Sequence, residues 1–245
     1  MHLQFVGCGD AFGSGGRFNT CFHLVGPGIN ALIDCGATSL VALNRLAIDR
    51  NAIDVIFISH FHADHAAGLP FFILEANYPL KRDRPLTIAG PPGLKSRFIR
   101  AMEANFPGTG SLELRFPLTL QELEIGRDNA VGKVRVTPFH VVHDERAGPC
   151  LGFRFEVGGK VIAFSGDTEW TETLIDIGRD ADLFICEAYT RDKPIATHMA
   201  LAALEAHLSQ IRPKRLVLTH MGEDMVKHQA ELPFETAEDG KIVEL

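Results

Sequence analysis

The chain has 245 residues, of which 46% are hydrophobic and 22% are charged, values that are typical of a globular protein with a substantial core. Thirty-one acidic against twenty-four basic residues give a net charge of −7, which excludes a global basic field for nucleic acid or anionic membrane. Because no run of about 18 apolar residues occurs and the N-terminal stretch lacks the cations of a signal peptide, we expect a cytoplasmic protein with no membrane partner.

Apolar runs and helical segments alternate along the chain in two comparable halves. In the first half the pattern predicts strands at 3–7, 22–26, 29–36, 55–59 and 86–90, and helices at 38–48 and 66–80. In the second half it predicts strands at 134–142, 150–159, 160–167, 181–188 and 215–220, and helices at 171–178 and 197–211. Two such halves predict an α/β architecture of two sheets face to face with helices outside, in a single domain over residues 1–245.

Glycines mark several of the predicted connections. Gly158 and Gly159 predict a tight hairpin turn, because glycine tolerates positive φ. The segment 126–133 is the best candidate for the joint between the halves, although its polar residues also suit an ordinary loop. Five glycines within 7–16 predict a tight loop whose amides could contact substrate; because the segment leads into another strand, they are not a dinucleotide-binding fingerprint.

Three histidines and an aspartate lie within six residues after the predicted strand 55–59. His60 and His62 alternate and can project to one side, whereas Asp64 and His65, at the turn into a helix, can aim at a second point nearby. Solvated loop histidines are the alternative, but this clustering favours ligands for two metals. Imidazole and carboxylate groups without a thiolate suit zinc, with manganese or iron as alternatives. The five scattered cysteines contain no C-x-x-C pair and favour buried small residues over ligands.

Polar residues also close three later strands. Asp167 follows the apolar run 160–164, and His220 follows 215–218, at strand ends where ligand groups gather in α/β layers. A turn or a helix cap is the alternative for each of them. His140 and His143 are both available near the end of strand 134–142, and strand alternation does not separate them. We favour His143 because it lies at the strand end.

These motifs resemble the five ligand motifs of the metallo-β-lactamase superfamily. Within that superfamily, the opening segment 5–21, the FSGDT motif at 164–168, the EAYT stretch at 187–190 and the segment after His198 resemble ribonuclease Z and its close relatives. The resemblance spans nearly the whole chain. It implies a four-layer αβ/βα sandwich with two mixed sheets flanked by helices, two divalent metal ions that we expect to be Zn²⁺, and a homodimer.

The resemblance also implies a role for each motif residue. His60, His62 and His143 would hold one zinc ion, Asp64, His65 and His220 would hold the other, and Asp167 would bridge them. The relatives' phosphate-side histidine matches His198.

The same residues suggest a mechanism in which a metal-bridging hydroxide attacks a phosphodiester. Asp64 would orient the hydroxide, Glu187 would hold His198 by a hydrogen bond, and His198 would protonate the leaving oxygen. The alternatives are that Glu187 is a strand-end carboxylate facing water and that His198 begins a surface helix capped by Thr197.

One departure from ribonuclease Z concerns the arm that grips tRNA. Only twenty-three residues separate His143 from Asp167, and the glycine hairpin occupies most of them. The cations of segment 81–100 could form a tRNA patch or a solvated face. We therefore expect a zinc-dependent phosphodiesterase for a small cyclic or aryl substrate. The alternatives are a tRNA 3′-processing endoribonuclease, a hydrolase of a lactone, thioester or β-lactam, and a metal-dependent binding protein without turnover.

Overall fold

Two seven-stranded mixed sheets form the centre of the computed structural model, which describes residues 1–245. The first sheet contains β1 (His2–Gly7), β2 (Cys21–Gly26), β3 (Ile29–Ile33), β4 (Val55–Phe57), β5 (Leu86–Gly90), β6 (Leu118–Glu122) and β14 (Ile242–Glu244). The second sheet contains β7 (Asn129–Val131), β8 (Val134–His140), β9 (Leu151–Val157), β10 (Lys160–Phe164), β11 (Leu183–Glu187), β12 (Leu216–Thr219) and β13 (Glu235–Thr236).

Seven helices accompany the sheets. They are α1 (Ser39–Arg45), α2 (Ala63–Ala66), α3 (Leu69–Asn77), α4 (Leu94–Asn105), α5 (Thr173–Gly178), α6 (Leu201–Ile211) and α7 (Glu223–Lys227). None of them combines the length and the apolar character that crossing a membrane would require.

Buried apolar side chains form three separate clusters. They fill the three spaces between the four layers, which are two sheets and the helices outside each sheet. The central cluster joins side chains of both sheets, including Phe22 and Phe164, whose rings meet edge to face at 5.2 Å. A second cluster lies between the first sheet and α1, α3 and α4, and a third lies between the second sheet, α5 and α6. The predicted αβ/βα sandwich is therefore confirmed.

Strand direction places the carboxyl ends of several strands at one edge of each sheet. The sheet orders are β14-β1-β2-β3-β4-β5-β6 and β13-β12-β11-β10-β9-β8-β7. Strands β3 to β6 are mutually parallel, and so are β10 to β13. Residues that directly follow β4, β10, β11 and β12 therefore lie at the carboxyl edges of the two sheets. Open α/β sheets gather functional groups at this edge.

The connections agree with the sequence in part. Gly158 and Gly159 form the β9–β10 turn with φ values of 57° and 76°, as a two-residue hairpin turn requires. The chain passes from the first sheet to the second between β6 and β7, so the crossing overlaps the start of the predicted joint at 126–133. The predicted helix at 197–211 is shorter, because α6 begins only at Leu201.

Candidate metal centre

The first group of candidate ligands comes from the loop after β4 and the loop after β8. His60 Nε2 lies 3.1 Å from His62 Nδ1, and His143 Nε2 lies 3.0 Å from the same His62 nitrogen. Nitrogens placed tetrahedrally about one zinc ion at roughly 2.0–2.1 Å are roughly 3.3 Å apart, so the spacing of the three rings suits a shared cation. His140, in contrast, is exposed on β8 and does not join the group.

The second group contains two residues of the short helix α2 and two strand-end residues. His65 Nε2 lies 3.3 Å from Asp64 Oδ2, and His220 Nε2 lies 3.2 Å from the same oxygen. Asp167 Oδ2 lies 3.2 Å from His65 Nε2 and 3.3 Å from His220 Nε2. The four side chains are buried, and their ligand atoms lie within 4.8 Å of one another.

Asp167 lies between the two groups. Its Oδ2 is also 3.9 Å from the Nε2 atoms of His60 and His143, which belong to the first group. This carboxylate is therefore the one in the cluster that faces ligand atoms of both groups, as a bridge between two cations would.

Unpaired buried atoms test whether these residues fit a cation. His65 Nε2 and Asp167 Oδ1 are buried and have no hydrogen-bond partner. Leaving such atoms without a partner costs about 1–3 kcal/mol each, so two of them within one group of candidate ligands need a compensating ligand. Imidazole nitrogens and carboxylate oxygens without a thiolate form a donor set that suits Zn²⁺, Mn²⁺ or Fe²⁺. The residues present therefore fit divalent metals.

The pKa shifts of the clustered histidines are also consistent with a cation site. Burial, reinforced by the nearby His65, lowers the pKa of His60 well below its ordinary value, and burial also lowers the pKa of His143. Neutral imidazoles are the form that binds a metal. Burial alone would lower the pKa of His220, but Asp167 and the hydrogen bond with Asp64 outweigh it and raise this pKa to about 9. A cation held among these carboxylates would displace such protons.

The buried carboxylate of Asp34, in the loop after β3, orients the candidate ligand His65. Asp34 accepts hydrogen bonds from the Ser59 amide at 2.7 Å, from the Ser59 hydroxyl at 2.8 Å, and from His65 Nδ1 at 2.7 Å. The Nε2 of His65 is thereby left to face Asp64 and Asp167. We did not identify Asp34 from the sequence, although it closes an apolar strand in the same way as Asp167.

Glu187 and His198 form a pair beside the cluster. His198 Nδ1 donates a hydrogen bond of 3.0 Å to Glu187 Oε2, and the amide of Thr168 donates to the other carboxylate oxygen. Glu187 is fully buried at the end of β11, so it does not face water. Burial alone would lower the pKa of His198, but the hydrogen bond and charge of Glu187 raise it.

His198 does not open a helix, in contrast to the sequence-based alternative. It lies before α6, whose N-cap is Ala200, and Thr197 has a left-handed φ of 72° that a helix cap does not adopt. The ring of His198 packs against the rings of Tyr189 and His220, with centroids 4.8 Å and 5.6 Å away, and these two rings are themselves 6.1 Å apart.

A cleft of about 340 Å³ opens onto the cluster. It is lined by Ala11, Phe12, His62, Ala63, Asp64, Asp167, Tyr189, His198 and His220. We did not single out Phe12 or Tyr189 from the sequence, although the predicted glycine loop does reach this cleft through residues 11 and 12.

Three of the six cations in segment 81–100, the candidate tRNA patch or solvated face, are engaged within the fold. Arg82 is only 1% exposed, and its guanidinium donates to backbone carbonyls of residues 50, 51, 53, 84 and 85. Arg84 pairs with Asp54 at 2.7 Å, and Arg97 lies over the ring of Phe61 at 5.0 Å. These three cations are engaged within the fold, whereas Lys81, Lys95 and Arg100 are exposed, so fewer cations of the segment remain to converge on phosphates.

Comparison with known proteins gives one family and several relatives. The family described as Anti-Pycsar protein Apyc1 matches residues 1–240. Ribonuclease Z of Agathobacter rectalis is 25% identical over 290 residues, covering 94% of this chain and 93% of that protein. The crystal structure of human tRNase Z, short form, has a TM-score of 0.80 and 25% identity, covering 100% of this chain and 99% of that one.

The crystal structure of the metallo-β-lactamase fold protein YhfI from Bacillus subtilis has a TM-score of 0.79. It is 19% identical and covers 99% of both chains, a likeness that concerns the fold alone.

Proposed function

We propose that this chain, which belongs to the Anti-Pycsar protein Apyc1 family and is a metal-dependent hydrolase related to ribonuclease Z, cleaves small phosphodiesters. The observation that carries the proposal is the position of the Glu187–His198 pair beside two groups of candidate metal ligands. Phosphodiester hydrolysis needs charge stabilisation at phosphorus and a proton for the leaving oxygen, and these two features would supply them.

In this proposal, two divalent cations, with Zn²⁺ favoured over Mn²⁺ or Fe²⁺, would be held by the seven clustered residues. His60, His62 and His143 would hold one, Asp64, His65 and His220 would hold the other, and Asp167 would contribute to both sites. When bound, the cations would supply a hydroxide nucleophile at neutral pH and offset negative charge on the phosphoryl oxygens.

The chain's own residues perform the remaining tasks. Asp64 lies in the cleft, where its carboxylate would orient the attacking water. Glu187 accepts a hydrogen bond from His198 Nδ1, which leaves His198 Nε2 free to carry a proton. Because His198 also lines the cleft, this Nε2 would deliver its proton to the departing oxygen.

The test compares a phosphodiester with a carboxylic ester that releases the same group. We expect the purified protein to hydrolyse bis(4-nitrophenyl) phosphate and to act at least tenfold more slowly on 4-nitrophenyl acetate. Asp64→Asn should abolish the phosphodiesterase activity, whereas Asp54→Asn, an exposed carboxylate paired with Arg84, should retain it. Faster hydrolysis of the acetate would favour the lactone, thioester or β-lactam alternative. No turnover of either substrate despite bound metal would favour a binding protein.

Processing of tRNA 3′ ends is the second candidate, and the relatives named ribonuclease Z favour it. The β9–β10 hairpin fills the space between His143 and Asp167, so no arm for tRNA is present there. We therefore expect weak tRNA binding at physiological salt, because the net charge of −7 also weakens the counterion-release contribution to nucleic-acid affinity. Accurate cleavage of precursor tRNA by the pure protein would make this the principal function.

Three further expectations belong to the same proposal. We propose that residues 1–245 act as one domain, which the central core shared by both sheets supports. We propose a cytoplasmic location, which the five free, buried cysteines support. A homodimer remains a prediction from the resemblance to ribonuclease Z.

A further inference from the structure

Phe12 is the most exposed large apolar residue of the chain. Its side chain is 84% exposed, and it lines the same cleft as Asp64, Asp167 and His198. A phenyl ring left in water at the edge of a polar cleft has apolar surface that a ligand could cover.

The loop that carries Phe12 is held in place by Asp10, whose side chain is buried. The Asp10 carboxylate accepts hydrogen bonds from the Phe12 amide at 3.2 Å, from the Ser14 amide at 2.9 Å, and from the Ser14 hydroxyl at 2.7 Å. Asn19 Nδ2 donates to the Asp10 carbonyl at 2.9 Å. The backbone at Phe12 is therefore fixed before any ligand binds, which limits the entropy lost on binding.

The other aromatic side chain of the cleft is already engaged. Tyr189 stacks on His198 at 4.8 Å with an angle of 27° between the rings, so it supports the imidazole. Phe12 is the aromatic ring that the cleft leaves available for the part of a substrate that lies outside the metal centre.

We infer that Phe12 determines specificity by stacking against a planar aromatic group esterified to the phosphate, such as a nucleobase-bearing or aryl group. This inference rests on the proposed phosphodiesterase function. Stacking of a flat ring on a phenyl face contributes binding free energy that does not depend on the hydrogen-bonding groups at the edge of that ring. Phe12 would therefore select aromatic over aliphatic esters without choosing among bases. The phosphate would lie toward the clustered histidines and carboxylates, with the aromatic group toward the loop.

The first experiment measures binding and does not depend on turnover. Calorimetry on the metal-containing protein compares adenosine 5′-monophosphate with ribose 5-phosphate, which lacks the base. We expect the wild type to bind the nucleotide about 10- to 100-fold more tightly, the range of one base-to-aromatic stack. Phe12→Ala should remove most of this ratio, and Phe12→Tyr should retain it. Phe71→Ala, which removes a half-exposed ring on α3 outside the cleft, is the matched control and should leave the ratio unchanged.

The second experiment measures turnover of two esters with the same leaving group. Phe12→Ala should lower kcat/KM about tenfold or more for the methyl ester of adenosine 5′-monophosphate, with little change for the methyl ester of ribose 5-phosphate, which has no aromatic group. Failure of the wild type to hydrolyse either ester, with the binding ratio still lost in Phe12→Ala, would overturn the proposed function and leave the role of Phe12 intact.

Two results would overturn the role of Phe12. One is a wild-type protein that binds both probes equally, or a Phe12→Ala protein that keeps the wild-type ratio. The other is a wild-type protein that sediments as a dimer while Phe12→Ala sediments as a monomer, which would mean that a second copy of the chain covers the ring.

Discussion

His143 and Thr197 are joined by a hydrogen bond of 2.7 Å in which the ring Nδ1 donates to the backbone carbonyl. The bond fixes the tautomer of His143, so that Nε2 faces His62. Thr197 has a φ of 72°, which is unusual for a β-branched residue, and its amide donates to Glu169 Oε2 at 3.1 Å. One peptide segment thus connects a candidate metal ligand with His198, the next residue in the chain.

Glu169 should position His198 through this segment. We expect Glu169→Ala to lower kcat about tenfold, because small displacements of a catalytic group are costly. Glu169→Gln should recover most of the activity, since its side-chain oxygen still accepts from the Thr197 amide. Metal content by elemental analysis should be the same in both variants. A Gln variant as inactive as the Ala variant would show that the charge of Glu169, and not its hydrogen bond, matters.

Metal stoichiometry tests the bridging position of Asp167. We expect about two metal equivalents per chain in protein purified without chelator, because seven clustered ligands exceed what one tetrahedral ion uses. Asp167→Ala should lose metal from both positions, since its carboxylate faces both ligand groups. His23→Ala is the control, because His23 is hydrogen-bonded to Asn30 on the neighbouring strand. Equal metal loss in the two variants would contradict a bridge.

Asp34 should matter to metal affinity without touching a metal. Asp34→Asn removes the charge that holds His65 Nδ1, and loss of such a partner typically weakens binding about 10- to 100-fold. Asparagine tolerates the φ of 61° at this position, so the backbone should remain in place. Competition with a chromophoric zinc chelator measures the change. Asp54→Asn, on the surface, should show wild-type affinity, and an Asp34→Asn protein with wild-type affinity would contradict the orienting role.

The sequence made the local parts of this site predictable. The block 60–65 is contiguous, so a strand end followed by a helix start was enough to suggest two groups of ligands. The contact of Asp34 with His65 joins residues 31 positions apart, and no local pattern indicates it. The left-handed backbone of Thr197 is likewise set by tertiary hydrogen bonds and delays the start of α6. Helix α4 was not predicted, although its buried residues Leu94, Phe98 and Met102 recur at the four-residue spacing of an amphipathic helix.

The charge of Glu187 should set the pH range in which His198 works. Glu187 stabilises the protonated imidazole and raises the pKa of His198, so removing the charge must lower that pKa. If protonated His198 is the active form, activity declines as pH rises through its pKa. The alkaline limb of the kcat profile should therefore lie at lower pH in Glu187→Gln than in the wild type. An unmoved alkaline limb would assign that limb to another group.

His198 should contribute to chemistry more than to metal binding. If it protonates the leaving oxygen, His198→Ala should reduce turnover of an alkyl phosphodiester by about 10²- to 10⁴-fold, the usual span for a lost general acid. The loss should be much smaller for a nitrophenyl ester, because nitrophenolate leaves without being protonated. Metal content measured on the same samples should remain at the wild-type value. Equal losses on both esters would remove the general-acid role. Loss of metal in the variant would make His198 a ligand, since its ring nitrogen lies within 4.8 Å of the ligand atoms of His143 and Asp167.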